Sequence, residues 1–200
     1  MRVLLSGYDS RGGVEPLVGL AVRLRALGAE VRVCAPPGFA ELLARVGVPM
    51  VPFGQSARTL TTAAPPPSSL PRHAAELIAS QFDAVTAAAE GCDALVATGL
   101  MPAAAGARSV AEKLGIRSVY ATFQQLTLPS PHHPPLAYPG RPFPPEVTDN
   151  RVLWDLDAQN INALFGAALN TNRASIGLPP VDNVRDYVIG DQPWLATDPT

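Results

Sequence analysis

Short apolar runs alternate with longer amphipathic stretches from the start of the chain. The run from Arg2 to Ser6 has the length and composition of a strand that is buried on both faces. After a polar, glycine-rich turn over residues 7–13, Glu15 and Pro16 predict the first turn of a helix. Its apolar side chains share one helical face, away from the arginines, and are Leu17, Leu20, Ala21, Leu24 and Leu27. The pattern predicts a first strand–helix unit.

Three glycines mark the ends of predicted helices. Gly28, Gly47 and Gly115 each follow an amphipathic stretch and precede a run rich in β-forming residues. Strands that alternate with helices in this way are typical of βαβ units and a parallel sheet. The further predicted strands cover residues 30–34, 50–53, 94–97, 118–121 and 194–196, and the further helices cover 38–46, 71–90, 102–114 and 152–176. The fold class is therefore α/β.

Two segments interrupt this rhythm. Residues 54–71 contain several threonines and serines and a run of three prolines, which predicts a long loop. In the segment 123–150, eight of the 17 residues from Pro129 to Pro145 are proline, which excludes a helix or a central strand there. Two interpretations of this segment stay open: a functional loop, or a proline-stiffened edge packed on the surface.

Composition and charge narrow the class of protein. The chain has 200 residues, of which 47% are hydrophobic and 16% charged, so we expect one globular domain with a core of its own. The net charge of −2 and the absence of a basic run argue against a nucleic-acid partner. No apolar stretch is long enough for a membrane span, and the first residues lack a secretory signal, so we expect a cytoplasmic protein. The two cysteines form neither a disulfide framework nor a zinc pattern.

The turn after the first strand is the natural place for a ligand. Ligands of open α/β sheets bind beyond the carboxyl ends of the strands, and a helix N-terminus attracts phosphate. Ser10, Arg11 and Gly12 are therefore candidates for phosphate binding, and the alternative is that the glycines only make a tight turn. The spacing of the glycines does not fit the dinucleotide fingerprint G-x-G-x-x-G, and the Walker pattern lacks its lysine.

The same residues carry a resemblance to a known family. The string Ser10-Arg11-Gly12-Gly13-Val14-Glu15-Pro16-Leu17-Val18 resembles the N-terminal domain of GT-B glycosyltransferases, in the branch that acts on vancomycin- and teicoplanin-type glycopeptide antibiotics in actinobacteria. Further matching stretches run in order along the chain and are Val33 to Pro37, Val46 to Pro49, Ala89 to Cys92, Arg108 to Ile116, Arg173 to Val181 and Asp191 to Ala196. The match covers nearly the whole chain.

The resemblance implies a Rossmann-like parallel sheet with helices on both faces, which is one half of a GT-B fold. It implies that residues 1–200 form the acceptor-binding domain and that a C-terminal donor-binding domain is absent from this chain. Ser10, Arg11 and Gly12 would then lie near the donor's diphosphate. The loops 55–71 and 123–150 would shape the acceptor platform. The implied acceptor-binding residues are Gly13, Phe123, Gln125 and His132.

One departure from the family pattern concerns the catalytic base. The family usually has aspartate where this chain has Gly13, and that aspartate is expected to deprotonate the acceptor hydroxyl. Three interpretations stay open. Asp9 substitutes for it, or a phenolic acceptor (pKa about 10) needs little help from a base, or the enzyme is impaired.

The function implied by the resemblance is inverting transfer of a sugar from a nucleoside diphosphate to a hydroxyl of a glycopeptide aglycone, in antibiotic biosynthesis. The donor would be a dTDP- or UDP-linked sugar, with no metal and no other cofactor. This chain alone would bind the acceptor at best and would not catalyse transfer. The alternatives are a non-catalytic Rossmann-like domain that binds an aromatic natural product, and a glycosyltransferase for a macrolide or polyketide aglycone.

Overall fold

The computed structural model describes residues 1–55 and 66–197, which form a parallel β-sheet between helices. The strands are β1 (Arg2–Tyr8), β2 (Glu30–Ala35), β3 (Met50–Pro52), β4 (Ala94–Gly99), β5 (Arg117–Thr122) and β6 (Trp194–Leu195). Their order in the sheet is β3-β2-β1-β4-β5-β6, and every neighbouring pair is parallel. At the centre, Leu5 of β1 aligns with Val33 of β2 on one side and with Val96 of β4 on the other. The expected α/β fold is confirmed.

The described helices are α1 (Arg11–Ala26), α2 (Ala40–Arg45), α3 (Leu70–Ala89), α4 (Met101–Leu114), α5 (Asn150–Ile161), α6 (Ala167–Ser175) and α7 (Val184–Ile189). Short 3-10 turns cover Pro37–Phe39, Pro67–Ser69 and Gln125–Thr127. The helix expected over residues 152–176 is interrupted by a π-helical turn, Asn162–Gly166, between α5 and α6. No helix in the described ranges is long and apolar enough to cross a membrane.

The connection between β1 and α1 is shorter than the sequence predicts. We expected a turn over residues 7–13 and a helix from Glu15, but β1 continues to Tyr8 and α1 begins at Arg11. The Ser10 carbonyl accepts the N–H groups of Gly13 and Val14, both at 3.2 Å, which starts the helix four residues earlier. Pro16 is consequently inside α1 rather than in its first turn, where its missing N–H removes one intrahelical hydrogen bond.

Two apolar layers cover the two faces of the sheet, because alternate residues of a strand point to opposite faces. On one face, α1 and α2 pack on side chains such as Leu5 and Val33. On the other face, α3, α4, α6 and α7 pack on side chains such as Leu4 and Leu95. The expected helices on both faces are confirmed, and the buried central strands explain the uninterrupted apolar run of β1.

Helix α7 was not predicted from the sequence. Asn183 caps it by accepting the N–H of Asp186 at 3.1 Å, a polar cap that marks a helix start. Arg173 of α6 is only 2% exposed and joins α7 to α4, because its guanidinium bonds to Tyr187 Oη at 2.8 Å and to Glu112 Oε2 at 2.9 Å. This ion pair lowers the pKa of Glu112 and fixes the C-terminal layer on the sheet.

Candidate functional site

Two neighbouring cavities open at the carboxyl ends of the central strands. The strand order reverses at β1, which has β2 on one side and β4 on the other, and such a switch point is where α/β sheets bind ligands. The smaller cavity is about 100 Å³ and lies beyond β1, β4 and β5. The larger cavity is about 760 Å³ and lies beside α3, the start of α4 and the proline-rich segment. Asp9 and Ser10 line both cavities.

The smaller cavity has polar walls and meets the N-terminus of α1. Ser10 is the N-cap residue of α1, and its side chain makes no capping bond. The first N–H groups of a helix have no intrahelical partner, and the helix dipole adds positive charge there. Thr98, Thr122 and Thr127 also line this cavity, and the hydroxyls of Thr122 and Thr127 bond to each other at 2.6 Å. Chemically, this cavity suits a small anion such as a phosphate group.

Asp9 is the acidic side chain at the junction of the two cavities. Its Oδ1 accepts the N–H of Ser10 at 2.6 Å, which leaves Oδ2 for another partner. The side chain lies against two glycines: a Cβ added to Gly13 would come within 2.5 Å of Asp9 Cβ, and one added to Gly99 would come within 3.1 Å of the same atom. Gly99 also has φ +89°, a conformation that favours glycine. These two glycines make the space that Asp9 occupies.

Two buried tyrosines flank Asp9. Burial raises the pKa of Tyr120 to about 12, and the negative charge of Asp9 adds to this shift. Tyr8 packs on Phe53 with ring centroids 5.3 Å apart, and its hydroxyl accepts the N–H of Gln55 at 3.2 Å. Burial also raises the pKa of Tyr8. Both phenols therefore keep their protons at neutral pH. The Tyr120 hydroxyl donates to the Gly99 carbonyl at 3.4 Å, and Tyr8 lines the larger cavity.

The larger cavity has mainly apolar and aromatic walls. Helix α3 contributes Leu70, Ala74 and Leu77, which lie on one helical face at spacings of three and four residues. Facing them, Tyr138 of the proline-rich segment meets Phe165 of the π-helical turn edge to face, at 5.7 Å between ring centroids. The volume of this cavity is in the usual range for small-molecule sites, and its walls suit an aromatic ligand.

The structure brings five of the sequence-predicted residues together. Asp9, Ser10, Gly12, Gly13 and Phe123 all line the smaller cavity. Among them, Gly12 and Gly13 belong to the first turn of α1 and not to a separate loop.

The other three predicted residues line neither cavity. The side chain of Arg11 is 82% exposed, and its Nε pairs with Glu15 at 2.7 Å on the outside of α1. Gln125 is in a 3-10 turn beside the smaller cavity, and His132 is exposed on the proline-rich segment. Within residues 1–55 and 66–197, no three side chains of His, Cys, Asp or Glu are close enough together to hold a metal ion.

The proline-rich segment packs on a helix in one part and lines the larger cavity in another. One part packs on α5, where Trp154 Nε1 donates to the carbonyl of His133 at 3.0 Å. Another part contributes Tyr138 and Pro139 to the wall of the larger cavity. Of the other expected acceptor loop, residues 56–65 are outside the described residues, and Gln55 and Pro66 on either side of them line the same cavity.

Sequence reasoning missed the helical wall of the larger cavity. Leu77, Met101 and Phe165 line it, but in the sequence they are apolar helix positions like those of the core. The available signal is the presence of two polar residues, His73 and Ser80, within the apolar stripe of α3. This signal is not specific, because the same helix also buries the polar Gln81 completely.

The sequence of this chain matches one protein family and is similar to several characterised glycosyltransferases. Residues 3–129 match the glycosyltransferase family 28 N-terminal domain. The chain is 53% identical to the glycosyltransferase GtfE of Amycolatopsis orientalis over 99% of its own length and 49% of that protein. It is 50% identical to the vancomycin aglycone glucosyltransferase of the same organism, over 100% of its own length and 49% of that protein. The chain therefore spans about half the length of the curated relatives it matches.

The comparison with solved structures concerns the fold. The crystal structure of the glycosyltransferase VinC in complex with dTDP superposes with a TM-score of 0.59 and 17% identity, over 100% of this chain and 49% of that one. At this identity the likeness concerns the fold, and it agrees with the expected half of a GT-B architecture. Because the family match covers more than half of the chain and the curated relatives share about half of its residues, this chain belongs to the glycosyltransferases of family 28, in which it corresponds to the N-terminal domain.

Proposed function

We propose that this chain is the acceptor-binding domain of an inverting glycosyltransferase that transfers a sugar from a nucleoside diphosphate to a hydroxyl of a glycopeptide antibiotic aglycone. The observation that carries the proposal is the meeting of an apolar cavity and a polar cavity at one carboxylate, Asp9. Residues 1–200 form this domain. A C-terminal domain of the longer enzyme supplies most of the donor site. The cytoplasmic setting expected from the sequence stays a prediction.

The larger cavity is the proposed acceptor site. Its apolar side chains and the Tyr138–Phe165 pair suit the linked aromatic rings of a glycopeptide, because flat rings bury much apolar area against such walls. The names of the relatives support this acceptor class, since one of them is a vancomycin aglycone glucosyltransferase. An aglycone is larger than a cavity of about 760 Å³, so one or two of its rings enter while the rest stays at the rim.

The smaller cavity is the proposed place of the donor's diphosphate. The N-terminus of α1 offers backbone N–H groups and the hydroxyl of Ser10 to an anion, which stabilises the negative charge that develops on the leaving group. The VinC complex with dTDP supports a dTDP-linked donor, and a UDP-linked sugar has the same diphosphate. Arg11 contributes to this site only if its guanidinium leaves Glu15.

Asp9 is the proposed general base. Its Oδ2 takes the proton of the acceptor hydroxyl while the hydroxyl oxygen attacks the anomeric carbon from the face opposite the diphosphate. The bond between the anomeric carbon and the phosphate oxygen breaks, and the diphosphate leaves with the electron pair. One displacement of this kind inverts the anomeric configuration. The two cavities hold both reactants in line, so positioning supplies much of the acceleration.

Calorimetric titration of the chain tests this proposal. We expect saturable binding of a glycopeptide aglycone, much weaker binding of a dTDP-sugar, and no binding of a macrolide aglycone of similar size. A folded sample that prefers the macrolide would identify the alternative acceptor class. A folded sample that binds neither aglycone would contradict the proposed acceptor site.

A further inference from the structure

Helix α3 places one histidine in the apolar wall of the larger cavity. Leu70, His73, Ala74 and Leu77 all line this cavity and follow the spacing of a single helical face. His73 is half-buried among these apolar neighbours. An imidazole ring at such a position can make a directional hydrogen bond to a ligand, on a surface that is otherwise suited to apolar contact.

One hydrogen bond fixes which ring nitrogen of His73 can act on a ligand. Nδ1 lies 2.8 Å from the backbone carbonyl oxygen of Ser69, the N-cap residue of α3. A carbonyl oxygen carries no proton, so Nδ1 must donate in this contact. In the neutral ring the other nitrogen, Nε2, then has a lone pair and accepts hydrogen bonds. Nε2 has no hydrogen-bond partner among residues 1–55 and 66–197.

At the end of the cavity next to β1, Asp9 and Ser10 offer polar atoms that belong to the proposed reaction centre. Away from that end, the polar side chains have partners or are exposed. The hydroxyl of Ser80 donates to the Leu77 carbonyl at 2.9 Å, and the hydroxyl of Tyr8 accepts the N–H of Gln55. Glu76 is exposed. On the half-buried part of the α3 wall, His73 Nε2 is therefore the acceptor without a partner among the described residues, and a neutral donor on an aromatic ring satisfies it with the least loss of hydration.

We propose that His73 Nε2 accepts a hydrogen bond from a phenolic hydroxyl of the ligand in the larger cavity and thereby selects hydroxylated aromatic rings. The inference rests on the proposed function, because it assigns the acceptor to this cavity. His73 is a specificity residue here: it holds the phenol as a hydrogen-bond acceptor, whereas the proton of the reacting hydroxyl passes to Asp9. No proton leaves the phenol that His73 binds.

Two substitutions separate ligand binding from a structural role of His73. In His73→Asn, the shorter amide can still donate to the Ser69 carbonyl, but it offers no acceptor at the position of Nε2. In His73→Gln, the longer amide reaches that position. We expect His73→Asn to bind a glycopeptide aglycone about three- to tenfold more weakly, which corresponds to one net hydrogen bond, and His73→Gln to recover part of the loss. Arg72→Gln, a neighbour on the exposed side of α3, is the matched control and should bind normally.

The deciding measurement is calorimetric titration of these variants with the aglycone and with its phenol-methylated derivative, combined with ¹⁵N NMR of the histidine rings. We expect methylation to weaken binding to the unsubstituted chain but not to His73→Asn, and the aglycone to move the Nε2 resonance of His73 more than the Nδ1 resonance. If the aglycone binds while His73→Asn binds equally well and Nε2 does not move, this inference is wrong and the proposed function stands. If the unsubstituted, folded chain does not bind the aglycone, both are wrong.

Discussion

The side chain of Asp9 occupies the space that a side chain at position 13 would need. A Cβ on Gly13 would come within 2.5 Å of Asp9 Cβ and 2.6 Å of Asp9 Cγ, which is closer than real atoms approach. The family pattern that the sequence resembles has aspartate at position 13, and this chain instead has Asp9, four residues earlier, whose side chain takes up that space. Asp9 and Gly13 are therefore one structural unit, and a change at either position acts on the other.

A double-mutant cycle measures this dependence in the free energy of unfolding. Alanine normally stabilises a helix relative to glycine by about 1 kcal/mol, but in Gly13→Ala we expect a net loss of about 1 to 3 kcal/mol, because the new methyl group overlaps Asp9. In an Asp9→Gly background the overlap is gone, and Gly13→Ala should be neutral or stabilising. Denaturant unfolding of the four proteins gives the coupling energy. Equal effects in both backgrounds would show that the two positions are independent.

Asp9→Asn tests the proposed base in the complete two-domain enzyme. The amide keeps an oxygen for the N–H of Ser10, so the local backbone should be preserved, but it cannot take a proton. We expect kcat to fall by about 10²- to 10⁴-fold, the usual contribution of a general base, with little change in the affinity for the aglycone. Steady-state kinetics combined with aglycone titration separates these two quantities. A kcat close to that of the unsubstituted enzyme would exclude Asp9 as the base and favour a phenolic acceptor that needs none.

Leu77→Trp tests whether the larger cavity holds the acceptor. The indole ring fills space between α3 and the opposite wall, so we expect aglycone affinity to fall by at least about tenfold, as when a ligand loses its pocket contacts. Ala79→Trp is the matched control, since it adds the same ring to the exposed face of the same helix. Thermal unfolding of both variants verifies that they are folded. Equal aglycone affinities of the two variants would place the acceptor elsewhere.

Asp157 of α5 predicts a specific pH dependence of stability. It is only 4% exposed, and burial raises its pKa from 3.8 to about 6, although the positive charge of Arg185 opposes the shift. Tyr138, the other group close to it, stays neutral because its own pKa is raised by burial and by Asp157. The folded state therefore binds the Asp157 proton more tightly than the unfolded state does. The contribution of protonated Asp157 to the free energy of unfolding is therefore complete below about pH 4 and is lost as the pH rises to about 6.

Comparison with Asp157→Asn isolates this contribution from the other carboxylates. Between about pH 4 and pH 6, the free energy of unfolding of the unsubstituted chain should fall by about 1 to 3 kcal/mol relative to that of the variant. Above that range the difference between the two proteins should stay constant. Urea unfolding at several pH values checks it. A difference between the two proteins that stays constant across this range would mean that Asp157 has an ordinary pKa when folded.

The sequence predicts the fold well because its local signals agree with the final packing. Gly28, Gly47 and Gly115 all have positive φ at the ends of helices, as their positions indicated. Each predicted strand is present, and the apolar run of the central strand β1 is buried on both faces of the sheet, whereas the edge strand β6 is exposed. Helix α7 was missed because its six residues are too few to show a period, and its cap at Asn183 was the available signal.

The candidate site is predictable only where it follows from the end of β1. Asp9, Ser10, Gly12 and Gly13 are expected beside the switch point from topology alone, and the structure places them there. The partners across the cavities come from distant parts of the chain, such as Leu77, Met101 and Phe165. In the sequence their apolar spacing equals that of a core helix, because a cavity wall and a core face bury the same kinds of side chain. Only the assembled fold shows which of them line a cavity.

The most direct test of the central claim is a ¹⁵N–¹H NMR titration of this chain with a glycopeptide aglycone. Our interpretation predicts saturable shifts at the walls of the larger cavity, at Leu77, Met101 and Phe165, and at the junction residue Asp9. Resonances on the opposite face of the sheet, such as those of α2, should stay unchanged. Saturable shifts that leave these walls unmoved, or no shifts in a folded sample, would contradict the assignment of this domain as the acceptor site.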